Sequence, residues 1–334
     1  MAYEDLTRPS WGGNGKDVDI HIEEHTGIVD SSFLAKSIMG KYLDVRTLKN
    51  SNALRIDRLS SVQIGGRGVG EALNFTSMKQ EKFTLAVDRT LYARVAIDYF
   101  DDWTASIDIR REVASESGGQ LAKQYDQAAL ITLQKAPDFV PPSSISDSFS
   151  AGILETATLT GTDGVPDLSP ENAAQLVRAH RASIAQMVKR DLGDEIYSGQ
   201  GVTFVTPDVF SLLLEHDKLM NLEFGAGEGG NSFAMGRVAR LNGVRIVETP
   251  RLLASAFTGH PLGDAFNLSA TEARRQMITC LPAKSLIVAQ ARPLTAKMWD
   301  DHDNFKNVID TYQSYNVGLR RPDAVAAVEL VVGS

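Results

Sequence analysis

The chain has 334 residues, 43% hydrophobic and 23% charged, and its 34 Lys plus Arg against 42 Asp plus Glu leave a formal net charge of -8. This composition excludes wholesale disorder, the single cysteine, Cys280, excludes an intrachain disulfide and fits folding in a reducing compartment, and no stretch approaches the ~18 apolar residues of a membrane span. A surface this acidic also argues against tight binding of duplex DNA by the chain as a whole, because such affinity comes from counterion release by a basic face.

Residues 1–30 hold seven acidic residues against Arg8 and Lys16, and their glycines and lack of periodicity read as a flexible arm. Downstream, Leu54, Ile56, Val62 and Ile64 alternate, and so do Phe83, Leu85, Val87, Leu91, Ala93, Val95, Ile97 and Tyr99, with Arg89 breaking the row. That is a strand period, and Gly65, Gly66, Gly68 and Gly70 between the two runs predict a hairpin. One strand over 83–99 would reach about 55 Å at ~3.3 Å per residue, and an apolar row carried that far implies cover from another subunit. The alternative breaks the run into two ordinary strands at Asp88-Arg89.

A helix is predicted from Trp103 to about Ala136, closed by Pro137, with Trp103, Ile107, Ala114, Leu121, Tyr125 and Ala128 as its buried stripe. Gly118-Gly119 sits mid-helix, where each glycine costs about 1 kcal/mol against Ala and permits a bend, or else marks the meeting of two shorter helices. Residues 138–168 read as a long connection. Ser169-Pro170-Glu171 opens the next helix with a cap, a first-turn proline and an early acid; its apolar face includes Ala173, Leu176, His180, Ile184 and Met187, and Gly193 ends it. His180 there reads as a packed histidine rather than a ligand. Val202–Val205, Val244–Val247 and Leu286–Ala289 are predicted buried strands, Thr206-Pro207 starts another helix, and 225–232 is a glycine-rich loop. Strands return around Phe305–Val317 and Val325–Val332, joined by a turn at Arg320-Arg321-Pro322-Asp323.

Catalytic signatures are weak. His21, Glu24 and His25 match the inverted zincin pattern His-x-x-Glu-His, which needs a helix so that two histidines one turn apart share a zinc while Glu acts as base. Here the pattern lies in the acidic arm with Gly27 just beyond, so a solvated or strand-like arm is the plainer reading. Gly66-Arg67-Gly68-Val69-Gly70 lacks a following helix N-terminus and reads as a hairpin tip rather than a phosphate cradle. Asp300-Asp301-His302-Asp303 offers carboxylates to a cation but has the make-up of a solvated turn. Lys79 or Lys82 with Asn304, Asn307 or Asn316 would serve an inter-subunit isopeptide bond only in a buried, carboxylate-assisted site, which nothing in the sequence marks. No catalytic residue, cofactor or metal is expected, and the chain reads as a non-enzyme.

The order of parts resembles one family. An acidic arm, a glycine-tipped hairpin, a long helix, a mixed domain and a return through strands are similar to the major capsid proteins of tailed bacteriophages with the Hong-Kong-97-type fold, particularly the short-tailed, T-seven-like phages. Val29-Asp30-Ser31-Ser32-Phe33 leading to Arg46 and Leu48 resembles the arm entering its first strand, and Asp98-Tyr99-Phe100-Asp101-Asp102 the acidic entry to a spine helix whose second half resembles Gln120–Ala129. Phe204-Val205-Thr206-Pro207-Asp208 and Gly243–Pro250 resemble axial-domain strands. Tyr315-Asn316-Val317-Gly318-Leu319-Arg320-Arg321-Pro322-Asp323-Ala324 is similar to the closing Gly-Leu-Arg-Pro-Glu-Ala pattern, with a doubled arginine as a departure. The likeness covers about residues 29–331.

The resemblance implies an α+β fold with an N-terminal arm (1–50), an extended hairpin or E-loop with flanking strands (51–99), a spine helix of the peripheral domain (100–137), an axial domain (138–293) and peripheral-domain strands (294–334). It implies a subunit that partners itself in hexamers and pentamers of an icosahedral shell around double-stranded DNA, which it touches weakly. Scaffolding, portal and decoration proteins are the implied partners, with no membrane, and the implied location is the virion, assembled in the host cytoplasm. Arg67, Gly68, Arg89, Arg320 and Arg321 are candidate inter-subunit contacts, and Gly118 and Gly119 a candidate hinge. An encapsulin-like compartment shares the fold, and a zinc peptidase through His21, Glu24 and His25 is the enzyme alternative.

Overall fold

The structure, a computed structural model, describes residues 27–60, 62, 64–72, 78–100, 109–146, 149–162, 164–216 and 240–333. In chain order these form α1 (27–36), β1 (Val45–Thr47), β2 (Ala53–Leu59), β3 (Gln80–Ala86), β4 (Leu91–Asp98), α2 (Ile109–Gln134), β5 (Ile153–Thr162), β6 (Val165–Pro166), α3 (Pro170–Lys189), β7 (Val202–Val205) and α4 (Pro207–Leu214). They continue as β8 (Arg240–Leu241), β9 (Val244–Glu248), β10 (Arg275–Cys280), β11 (Leu286–Asp301), β12 (Lys306–Leu319) and β13 (Val325–Gly333). Two compact units result. One takes the residues up to Lys41 with Val87–Asp126 and Gln290–Tyr315; the other takes Tyr42–Ala86, Gln127–Ala289 and the residues from Asn316 on.

In the first unit β4 pairs antiparallel with β12, from Leu91↔Gln313 to Asp98↔Lys306, and β11 lies on the far side of β12. The single strand expected over 83–99 is therefore two. The chain leaves β3 at Ala86, passes through the exposed Asp88, Arg89 and Thr90, and starts β4 at Leu91, which pairs with a different strand. The polar link breaks the run because each half has its own partner. Of this apolar row, Leu85, Val87, Leu91 and Ile97 are buried within the chain, while Phe83, Ala93, Val95 and Tyr99 are half-buried.

The helix α2 runs unbroken through Gly118-Gly119, so the reading of two shorter helices is corrected; residues 101–108 of the expected helix lie outside the described residues. A Cβ on Gly118 would stand 2.5 Å from the Val29 carbonyl oxygen and 3.1 Å from Ser32 Cβ. The missing side chain thus makes the seat on which α1 lies. Ser32 Oγ donates to the Ser115 carbonyl at 2.6 Å, and the rings of Phe33 and Tyr125 meet edge to face at 5.6 Å. One turn further on, the fully buried Asp126 carboxylate accepts from Ser37 Oγ at 2.8 Å, Ile38 N at 2.8 Å and Met39 N at 3.1 Å. A buried carboxylate needs such donors to offset its desolvation. The flexible-arm reading accordingly ends early: residues 27–30 already belong to α1, and Val29 is buried.

Among the described residues, the second unit carries a seven-stranded sheet in the order β6-β5-β13-β10-β7-β9-β8, with β13 parallel to β5 and antiparallel to β10. The helix α3 begins as its sequence predicts, Ser169 Oγ accepting from Asn172 N with Pro170 in the first turn. Thr206 caps α4 in the same way. Both helices press aliphatic side chains on the sheet, where Leu176, Val205, Val209, Leu212, Met277 and Val328 form one cluster.

His180 lies in this core, fully buried. Its Nδ1 faces the Asn242 amide at 3.0 Å, and its Nε2 faces Thr203 Oγ1 at 3.0 Å, which reaches Thr279 Oγ1 at 3.0 Å. An Asn242 N–H donating to Nδ1 leaves the ring proton on Nε2 for Thr203.

Two measurements follow from these contacts. Gly118→Ala is expected to lose about 1–3 kcal/mol through overpacking despite the better helix propensity of Ala, and to raise deuterium uptake over 27–36. Gly119→Ala meets chiefly the flexible end of Lys36 and is expected to leave the melting temperature unchanged or raised. For His180, burial pushes the imidazole down to about 3, whereas an unfolded histidine titrates near ~6.5. Between these values the unfolded chain binds a proton that the native one refuses, so stability falls as pH drops below about 6.5, by about 2 kcal/mol at pH ~5. His180→Gln is expected to flatten the melting temperature between pH ~7 and ~5 relative to wild type.

Candidate assembly surface

The hairpin that sequence alternation predicts is β2 with β3, in register from Ala53↔Ala86 to Leu59↔Gln80. Its root is fixed by a buried cation. Arg58 is 7% exposed, and its guanidinium carbon lies 4.4 Å from the Phe83 ring centre, 4.7 Å from Phe149 and 5.3 Å from Phe139. Its Nη2 donates to the Leu319 carbonyl at 2.7 Å. Desolvation lowers the guanidinium's proton affinity, and Glu81 opposes that effect. Arginine suits this place because a planar, weakly hydrated cation stacks on ring faces where an ammonium would not.

The closing segment from Tyr315 to Ala324 receives the root. Asn316 Nδ2 donates to the Ala86 carbonyl at 2.6 Å. A Cβ on Gly318 would lie 3.0 Å and 3.1 Å from the two methyls of Leu85 and 3.2 Å from Phe83 Cε1, so the glycine admits the hairpin's inner face. The backbone N–H groups of Arg320 and Arg321 both donate to the Ser285 carbonyl, at 2.7 Å and 3.2 Å. Leu319, whose carbonyl takes Arg58, is thereby held in place.

The far end of the hairpin is different. Leu59, Val62, Ile64, Val69 and Met78 are exposed, Ile64 by 97% and Val69 by 110%. These side chains stand at the end of β2 and in the described part of the connection to β3. Val62 and Ile64, expected in the strand, lie beyond its end at Leu59.

Each sequence candidate can now be placed. Arg67 is exposed at the hairpin tip, where Gly68 N donates to Glu71 Oε2 at 3.0 Å. Arg89 is exposed in the link from β3 to β4. Arg321 pairs with Asp323 at 2.6 Å, and Arg320 stands 3.7 Å from Asp44, so both have a carboxylate within the chain. Gly118 and Gly119 form the seat of α1. Asp301 accepts from Asp303 N at 3.2 Å and Asn304 Nδ2 at 2.8 Å in the turn between β11 and β12. His21, Glu24 and His25 and the 225–232 loop lie outside the described residues. Arg58 and Asp126 were not singled out by sequence reasoning. Each looks like one more charge in an amphipathic element, and the partners that bury it are distant in the chain.

No family model and no curated protein matches the sequence. Solved structures do match. The chain in the asymmetric unit of the bacteriophage PhiM1 mature capsid is 38% identical, with a TM-score of 0.78 over 98% of this chain and 97% of that one. The capsid structure of the cyanophage P-SCSP1u has a TM-score of 0.74 at 15% identity, covering 89% of each chain. A virus-like particle from Pyrococcus furiosus has a TM-score of 0.54 at 12% identity, covering 92% of this chain and 99% of its own. The last two likenesses concern the fold alone, that of shell-forming subunits. Identity of 38% across nearly all of both chains goes further: this chain belongs to the bacteriophage major capsid proteins of the Hong-Kong-97-type fold. Its work is structural rather than enzymatic, which displaces the peptidase alternative.

Two substitutions separate packing from hydrogen bonding at the hairpin root. Arg58→Ala leaves a void among three rings and an unpaired Leu319 carbonyl, with an expected loss of about 2–4 kcal/mol and faster amide exchange over 53–59. Arg58→Met refills the space and is expected to lose about 1 kcal/mol. Chemical denaturation of both variants checks this.

Proposed function

We propose that the icosahedral shell this major capsid protein builds consists of its hexamers and pentamers and encloses the double-stranded DNA of a short-tailed phage. The observation that carries this reading is the contrast within one hairpin, between a root locked on its own chain and a tip that leaves Val62, Ile64 and Val69 in water. A tip so built is covered by the next subunit. The chain then maps as arm (1–50), hairpin and flanking strands (51–99), spine helix (100–137), axial domain (138–293) and peripheral strands (294–334). Gly118-Gly119 is where α2 yields as the subunit fits non-identical positions. Arg67, Gly68 and Arg89 lie on the surface that neighbours share. Scaffolding and portal proteins join during assembly in the host cytoplasm, decoration proteins add to the finished virion, and the acidic chain keeps packaged DNA from adhering to the wall.

Electron microscopy of the expressed protein is expected to show closed icosahedral particles; a monomer under every assembly condition overturns the reading. Shortening residues 65–80 is expected to leave a folded subunit by circular dichroism while abolishing stable shells. Normal shells from that variant would show that the tip is no inter-subunit element.

A further inference from the structure

β2 pairs with β3 alone, so its other edge is open. Ser60 N donates to the Lys79 carbonyl, which turns the N–H groups of Leu54, Ile56 and Arg58 toward β3 and those of Arg55, Asp57 and Leu59 away from it. Among the described residues no hydrogen bond reaches the outward N–H groups of Asp57 and Leu59. A groove of about 340 Å³ lies here, lined by the consecutive residues Ile56 to Ser60 with Phe149, Arg320 and Arg321. Consecutive strand residues alternate between faces, so a groove that touches all of them runs along the edge itself.

The cations on this groove are incompletely paired. Arg58 is 7% exposed, yet among the described residues no carboxylate oxygen comes within 4 Å of its nitrogens, and its Nε has no hydrogen-bond partner. Its cross-strand neighbour Glu81 acts on it only from farther off, and that carboxylate accepts from Ser144 Oγ. Buried charges are ordinarily paired, because an ion taken out of water without a counter-charge keeps its desolvation cost. Arg320 and Arg321 are half-buried. Asp44, 3.7 Å from Arg320, is shared with Arg46 at 3.5 Å, and the pair of Arg321 with Asp323 is open to water on the arginine side. The one acid on the groove itself is Asp57, exposed and on the opposite face of β2 from Arg58.

Donor chemistry selects the ligand. The guanidinium groups of three arginines and two backbone N–H groups offer more donors than the two oxygens of a carboxylate can accept, whereas a phosphate presents a tetrahedral set of oxygens and fits the planar guanidinium fork in bidentate fashion. The groove is larger than a lone phosphate needs, so a phosphodiester fits it as well.

We propose that the groove along the open edge of β2 is a phosphate-binding site, in which Arg58, Arg320, Arg321 and the N–H groups of Asp57 and Leu59 hold the oxyanion of free phosphate or of a nucleic-acid backbone. The anion supplies the counter-charge that Arg58 lacks, and it ties β2 to the turn that follows β12. Asp57 opposes it. Every residue of the site belongs to one compact unit of one chain, so the inference is independent of how subunits assemble.

The test titrates the full-length protein with inorganic phosphate by calorimetry, in chloride of matched ionic strength. Saturable binding of one phosphate per chain is expected, and heats no different from dilution overturn the proposal. Arg320→Gln and Arg321→Gln are each expected to weaken binding about tenfold, whereas Asp57→Asn, which removes the opposing charge, is expected to tighten it about twofold. Unchanged affinity in the double variant Arg320→Gln with Arg321→Gln overturns the proposal, and so does weaker binding by Asp57→Asn. Where a variant fails to fold by circular dichroism, hydrogen exchange on the wild-type protein decides. The amides of Asp57 and Leu59 are expected to slow about tenfold at saturating phosphate but not in added chloride, and unchanged exchange overturns the proposal. A short thymidine oligonucleotide separates the two sources. Competition with phosphate that disappears in the same arginine variants assigns the site to a nucleic-acid backbone, and phosphate binding that the oligonucleotide leaves untouched assigns it to the free ion.

Discussion

A guanidinium taken out of water among three phenylalanine rings is the contact on which the hairpin depends. The desolvation cost of Arg58 is met by ring faces and by one carbonyl, and the groups that meet it come from three places in the chain: Phe83 on β3, Phe139 and Phe149 after α2, and Leu319 at the end of β12. A two-stranded hairpin is marginal in water by itself. Here one buried cation ties it to the segment between α2 and β5 and to the end of β12, and the room left by Gly318 lets Leu85 and Phe83 close over that tie; the stretch 138–168, expected as one long connection, holds β5 and β6 because they extend the sheet beside β13.

The same logic recurs at the other end of the chain. Asp126 is a buried anion whose donors come from residues 37–39, and Gly118 supplies the clearance that lets α1 lie against α2. In each unit a terminal or projecting element is attached by one buried charge and one absent side chain.

Much of the fold was legible in the sequence because period and punctuation are local. The alternation of Leu54 and Ile56 with Phe83 and Leu85, the cap at Ser169 and the cap at Thr206 appear as strands and helix starts where their patterns place them. Errors arose where tertiary partners decide. Alternation continues from Phe83 to Tyr99, yet β3 and β4 separate because one pairs with β2 and the other with β12. Gly118-Gly119 left open two shorter helices, but α2 runs unbroken through the pair because the missing side chain at Gly118 seats residues 29–33. The segment ending in Arg320-Arg321-Pro322-Asp323 stood out by resemblance alone; the reasons for its residues lie in Ala86, Leu85, Arg58 and Ser285, none of which is near it in sequence.

The hold on Leu319 has a mechanical side. With Leu85 occupying the space where Gly318 lacks a side chain, and with Arg320 and Arg321 both hung from the Ser285 carbonyl, the hairpin behaves as a cantilever with a clamped base. A pull on its tip runs along two strands joined by seven residue pairs and loads them together rather than unzipping them one at a time.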